Sequence, residues 1–140
     1  MNRKMWALAV LLMFSGLAAA QLMSNSRIAT QVPFEFVAAN KIIPAGECVV
    51  QVTKIDPTIL TLRNASSKVG VFLPASLDET RKAANSYALV FKRYGNQYFL
   101  SAIKLEGSKI AYRVPESKAE AELRAQDVPA TDKIVLAYLK

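Results

Sequence analysis

Between Leu89 and Ile103 the chain reads Leu-Val-Phe-Lys-Arg-Tyr-Gly-Asn-Gln-Tyr-Phe-Leu-Ser-Ala-Ile, two runs of aromatic and β-branched residues on either side of Gly95-Asn96. Glycine and asparagine accept the positive φ angles of a two-residue I′ or II′ turn, so this stretch is constrained to a β-hairpin. A two-residue loop also sets the register. Tyr94 faces Gln97, Arg93 faces Tyr98, Phe91 faces Leu100 and Leu89 faces Ala102. One face of the ribbon then carries Leu89, Phe91, Leu100 and Ala102, which makes it a core face. An isolated ribbon is marginal in water, so the remaining chain must supply strands that cover that face.

It supplies them at regular spacing. From Ile28 to Ala38 the even positions read Ile28, Thr30, Val32, Phe34, Phe36 and Ala38, with the polar set at odd positions. This is period two with the apolar set inward. Pro33 has no amide to donate, which predicts an edge strand or a bulge there. Pro44-Ala45-Gly46 is turn chemistry, followed by a strand from Glu47 to Thr53 in which Cys48, Val50 and Val52 share a face. Asp56-Pro57 interrupts, Thr58 to Arg63 resumes, Asn64 to Ser67 turns, and Lys68 to Leu73 aligns Val69, Val71 and Leu73. Residues 74 to 86 form the longest connection, in which Ser76 and Glu79 have capping-box spacing. After the hairpin and the turn Glu106-Gly107-Ser108-Lys109, a strand follows through Ile110, Tyr112 and Val114.

The pattern then changes. Ser117-Lys118-Ala119-Glu120 is a capping box, and the run to Gln126 has no β-branched residue, which predicts one helix with Ala119 and Leu123 turned inward. Ile134, Leu136 and Tyr138 alternate in a last strand expected to pair with the sheet. The fold expected is mainly β: an antiparallel barrel-like or sandwich domain of about eight strands, with one short C-terminal helix before the last strand.

At the other end of the chain, Arg3-Lys4, the apolar run Met5 to Leu17 and Ala18-Ala19-Ala20 follow the plan of a secretory signal peptide. The expected organisation is a signal peptide over residues 1–20, a flexible or edge-strand lead-in over 21–31, and a single β-rich domain over 32–140. The expected location is exported, periplasmic or secreted. Removing 20 of the 140 residues leaves 120, enough to bury a real core. Of 18 Lys plus Arg, two lie in the leader, so 16 face 11 acids and the remainder carries about +5. These charges are scattered singly, which suits an anionic envelope surface without marking a nucleic-acid site.

The chemistry available is narrow. There is no histidine, which excludes Ser-His and Cys-His nucleophiles and histidine metal sites, and Cys48 is the only cysteine, which excludes an intrachain disulfide. Cys48 reads as a small core residue. No glycine-rich phosphate loop is present. Paired carboxylates remain, with Glu35, Glu47, Asp56, Asp78, Glu79 and Glu106 available, all in predicted turns, loops or outward strand positions. Asn64-Ala65-Ser66 matches a glycosylation pattern but reads as turn residues. No catalytic, cofactor-binding or metal-binding residue is assigned. The hairpin tip offers a binding surface of Arg93, Tyr94, Asn96 and Tyr98, although Arg93 opposite Tyr98 also makes a cation–π pair that would close the core face. The partners expected are an envelope protein or a polysaccharide, with no nucleic acid and with membrane contact only through an uncleaved leader. A carboxylate-dependent glycoside hydrolase and a barrel around an apolar ligand are the alternatives.

Taken together, Val-Pro-Phe-Glu-Phe-Val-Ala-Ala-Asn-Lys from Val32, Pro-Ala-Gly-Glu from Pro44, Leu-Val-Phe-Lys-Arg-Tyr-Gly-Asn-Gln-Tyr-Phe-Leu from Leu89 and Pro-Glu-Ser-Lys-Ala-Glu-Ala-Glu-Leu from Pro115 carry a resemblance. The chain resembles a set of short exported proteins of soil bacteria with no assigned activity, over about Val32 to Leu123 in the same order. That resemblance implies export but no substrate and no functional residue. An aromatic usually follows Pro-Ala-Gly-Glu in that set, whereas Cys48 stands here, in keeping with a packing position.

Overall fold

The structure is a computed structural model that describes residues 26–53 and 58–140. The leader, residues 21–25 of the lead-in and the break at Asp56-Pro57 lie outside the described residues. Eleven strands and one helix follow in order: β1 (Ser26–Val32), β2 (Phe36–Ala38), β3 (Lys41–Ile43), β4 (Gly46–Thr53), β5 (Ile59–Asn64), β6 (Gly70–Pro74), β7 (Ser76–Glu79), β8 (Tyr87–Tyr94), β9 (Gln97–Lys104), β10 (Ile110–Arg113), α1 (Lys118–Ala125) and β11 (Ala130–Leu139).

The sheet runs β6-β5-β4-β1-β11-β8-β9, and β9 continues to β10 and then β7. Only Ala75 separates β6 from β7, and its amide donates to the Thr58 carbonyl at 3.0 Å. One bent segment is therefore bonded to β5 on one side and to β10 on the other, which brings the sheet around into a nearly closed barrel. Counting β6 and β7 as one stave gives eight around the ring, and the short β2–β3 hairpin joins β9 beside it through the parallel pair Val37 and Phe99. Every described strand and core residue lies at or after Ser26.

The alternation expected from Ile28 to Ala38 holds: Ile28, Thr30, Val32, Phe36 and Ala38 are all buried, and Phe34 is half-buried. The segment is not one strand, however. Pro33 falls between β1 and β2, where its missing donor breaks no ladder. β1 is also no edge: it pairs with β4 from Ser26 to Val32 and with β11 at Ile28 and Ala29. Two further strands escaped the sequence. Ala39 and Asn40 both take positive φ, 48° and 63°, making the I′ turn that folds β2 onto β3. Ser76 to Glu79, which has capping-box spacing, is strand β7 on β10, because the open edge of β10 supplies the hydrogen bonds that a helix would otherwise make.

The β8–β9 hairpin has the predicted register from Tyr94 and Gln97 to Phe91 and Leu100. Ser101 is then an extra residue, so Val90 faces Ala102 and Leu89 faces Ile103. The Ser101 carbonyl accepts from Val114 at 2.9 Å, which holds the bulge. The core face is thus Leu89, Phe91, Leu100 and Ile103, with Ile103 in the place expected for Ala102. The barrel interior is filled by side chains. Phe91 meets Phe34 and Phe36 edge to face, at centroid distances of 5.0 and 4.9 Å. Cys48 is buried, and desolvation pushes its thiol up to about 11, with the neighbouring Glu47 adding to the shift. This is the inert core residue expected.

β11 pairs with both β8 and β1, but its larger residues face outward. Val135 and Ala137 pack on the core, while Ile134, Leu136 and Tyr138 are exposed, Leu136 by 66%. Both faces of Ile134 to Leu139 are apolar, so alternation alone cannot choose between them. Small residues fit inward because Leu89, directly opposite Val135, already fills that wall.

The helix starts as predicted, with the Ser117 hydroxyl accepting from the Glu120 amide at 3.2 Å. The second half of the capping box is not made. Glu120 turns inward instead, is 5% exposed, and accepts from the Tyr94 hydroxyl at 3.0 Å. The buried face of α1 therefore centres on Glu120; Ala119 is exposed and Leu123 half-buried. Desolvation holds the Glu120 carboxyl above its ordinary range, with Glu116 adding to the shift while the Tyr94 hydrogen bond, Lys92 and Arg124 oppose it. An acid raised in the folded state contributes stability that is complete below its unfolded pKa and is lost as pH rises through the folded value. Unfolding midpoints followed from about pH 4 to about pH 8 should therefore fall on this account, and Glu120→Gln should flatten the slope. An unchanged slope in the variant would assign the pH dependence elsewhere.

Candidate functional site

The site develops at the barrel end where the hairpin turns. Pro33 releases the chain from β1, and Phe34 is then drawn inward. Its ring stacks on Tyr98 at 3.8 Å, with the planes 14° apart. Alternation across Phe34 leaves Glu35 exposed. The I′ turn brings β3 back beside β2 and presents Ile42 outward, 59% exposed. Asn40, at that turn, accepts from the Lys118 amide at 2.8 Å and so ties the β2–β3 hairpin to the start of α1. On the other side Gly95 takes φ +60° and Asn96 does not share it, the II′ pattern, which sets Asn96 and Gln97 at the tip.

Between these pieces lies an open groove of about 340 Å³. Phe34, Phe36, Val37, Ile42 and Tyr98 give it an apolar lining, and Glu35, Asn96 and Gln97 add a carboxylate and two amides. Among the described residues none of these three polar side chains is hydrogen-bonded within the chain, whereas buried polar side chains elsewhere are all satisfied. Glu35 is the one carboxylate lining the groove. Glu47 is engaged by Lys140 at 3.1 Å, and Asp78 by Arg113 at 2.6 Å.

Of the four residues expected at the tip, the fold gathers three. Arg93 lies 5.6 Å from the Tyr98 ring centroid and donates from Nε to the Gly95 carbonyl at 2.7 Å. Tyr98 thus stacks on Phe34 and also has the Arg93 guanidinium over its ring. Asn96 is exposed at the tip. Tyr94 is not on this surface. It is buried beneath α1, in T-shaped contact with Phe99 at 5.6 Å, and burial together with the Glu120 hydrogen bond pushes its hydroxyl up to about 12. Glu35 was read from sequence only as a free carboxylate and Gln97 only as a residue of the hairpin turn; Ile42, and the meeting of the three, were missed. The signal that could have found them is Asn40, a residue tolerant of positive φ between two short apolar runs.

Among the described residues no three of Cys, Asp and Glu converge as a metal site. Comparison with protein-family profiles, with curated proteins and with solved structures finds no match to this chain.

Proposed function

We propose that this chain is an exported, non-catalytic β-domain that binds a segment of another envelope protein in the groove beside the hairpin tip. The observation that carries this reading is the groove itself, where exposed Ile42 and half-buried Phe34 and Val37 adjoin the uncommitted polar groups of Glu35, Asn96 and Gln97. Such a site offers an apolar anchor with hydrogen bonds at its margin, the arrangement from which a small interface draws most of its affinity. A non-catalytic role is supported by the single carboxylate in the groove, since acid–base glycoside cleavage calls for two at a set separation. A surface ligand is favoured over an enclosed one by the packing of Phe34, Phe36 and Phe91 in the barrel.

The two amides and the carboxylate favour polysaccharide as a second reading, because those groups match sugar hydroxyls. The contacts of Tyr98 weigh against it, since its ring is already stacked on Phe34 and carries the Arg93 guanidinium where a sugar ring would lie. Residues 21–140 used to capture partners from envelope extracts should lose the captured protein on Ile42→Asp, by about tenfold or more in affinity, with an unchanged unfolding midpoint. Binding to cell-wall glycans that is lost on Asn96→Ala but kept in Ile42→Asp would select the second reading. Capture that is the same for both variants and the parent would sink the groove altogether.

A further inference from the structure

A second surface lies at the opposite end of the barrel, where β8 begins at Tyr87, β11 ends at Leu139 and β1 starts. Here the connection from β7 to β8 is stitched to the β9–β10 turn. The Thr80 amide donates to the Lys109 carbonyl at 2.6 Å and its hydroxyl to the same carbonyl at 2.9 Å. Ala84 donates to Ser108 at 3.0 Å, and Gly107 donates to Ala84 at 2.8 Å. Two loops thus become one hydrogen-bonded platform. The segment read from sequence as the longest connection is hydrogen-bonded into the barrel end.

What the platform displays is specific in kind. Leu77 and Ile110 are 57% and 38% exposed and line a depression of about 540 Å³ with Glu79, Ser108 and Lys109. Lys109 is shared with an adjoining depression that includes Arg81. Ile110 is shared with another that includes Lys82 and Lys104. Two exposed aliphatic side chains therefore lie at one barrel end with the cations Arg81, Lys82 and Lys109, while Lys104, paired with Ala111, is on the other face of the sheet. The acids nearby are fewer: Asp78 is committed to Arg113, leaving Glu79 and Glu106.

We infer that this platform docks the protein reversibly on an anionic lipid bilayer, with Leu77 and Ile110 entering the headgroup boundary and Arg81, Lys82 and Lys109 facing lipid phosphates. The choice of occupant follows from the mixture. An acidic polymer would satisfy the cations but leave both aliphatic side chains in water, and an apolar peptide would bury those side chains but leave the cations without partners. A bilayer of anionic lipids meets both needs in one plane. With two acids in the same area the attraction is partial, so docking is weak and salt-sensitive. β1 also begins at this end of the barrel, with Ser26. This is a membrane contact separate from the one expected of an uncleaved leader, and it does not depend on the groove.

The test is flotation of residues 21–140, which hold every described strand and core residue, with vesicles of phosphatidylcholine alone or with part of it replaced by phosphatidylglycerol. The protein should float with the anionic vesicles, remain behind with the neutral ones, and be released by raised salt. Lys82→Glu with Lys109→Glu should lower partitioning by at least about tenfold, and Leu77→Ser with Ile110→Ser by a similar factor. Lys133→Glu with Lys92→Glu, an equal change of charge at exposed and half-exposed positions of β11 and β8, should leave it unchanged. Thermal melts of each variant keep misfolding apart from lost docking, and the exposed Lys82 and Lys109 pair carries the test if the aliphatic pair fails to fold. Equal flotation with neutral vesicles would overturn the inference. So would full binding by a folded Leu77 and Ile110 variant, because the surface would then be a general polyanion site.

Discussion

Phe91→Ala should lower the free energy of unfolding by about 3 to 5 kcal/mol, a large part of the roughly 5 to 15 kcal/mol that holds a domain together. The side chain is fully buried on β8, opposite Leu100, and its ring is contacted at the edge by both Phe34 and Phe36. Removing it empties the place where β8, β2 and the Pro33 link converge, and a barrel wall hydrogen-bonded on both sides of β8 cannot collapse to refill it. The neighbouring Lys92 points the other way, half-exposed, with its ammonium 3.4 Å from Asp132. An exposed pair of that kind contributes at most about 1 kcal/mol, so Lys92→Ala should cost little. Urea melts of the two variants, compared at equal slope, check the assignment. A larger loss for Lys92→Ala would mean that the inner and outer faces of the hairpin are reversed.

Asn64→Ala should destabilise the fold by about 2 to 3 kcal/mol, more than its turn position suggests. Asn64 is 1% exposed and uses both ends of its amide. Nδ2 donates to the carbonyls of Pro44 at 2.9 Å and Ala45 at 3.3 Å, while Oδ1 accepts from the amides of Ser66 and Ser67, each at 3.0 Å. It therefore joins the turn after β5 to the turn before β4. Gly46 allows this closeness: it takes φ +137°, and a Cβ there would meet Asn64 Nδ2 at 3.3 Å. Truncation strands the Pro44 carbonyl and two amides together. Ser66→Ala removes the same three-residue pattern without touching these bonds, and should change stability by less than about 0.5 kcal/mol. If the two variants melt alike, the Asn64 side chain is not the tie between the turns.

Much of this fold was legible because β-structure writes its inward face at alternate residues. The even positions from Ile28 to Ala38 and the tip of the β8–β9 hairpin could be read to the residue. Legibility failed where a distant partner decided the local form. The bulge at Ser101 depends on Val114, and β7 depends on the edge of β10 rather than on any propensity in Ser-Leu-Asp-Glu. Tyr94 shows the same limit at the candidate site. Its position in the hairpin was right, but α1 covers that side of the sheet and converts a surface residue into a buried hydrogen-bond donor. The groove needed β2 and β3, and although Asn40 marks their turn, the pairing of β2 with β9 that sets Glu35 and Ile42 beside Asn96 has no local signal.

The ring order has a temporal side. β11 lies between β8 and β1, so the first and last strands of the chain are neighbours across the whole length of the sequence. While the chain is being made, β1 can pair with β4 alone and β8 with β9 alone, and each keeps an open edge until the final ten-residue strand emerges. Closure of the ring thus waits for β11, and the long loop between β1 and β11 makes that pairing slow compared with hairpin formation. Before β11 is in place the other staves can already join as one curved sheet, running from β1 through β4, β5, β6 and β7, β10 and β9 to β8 and open only between β1 and β8.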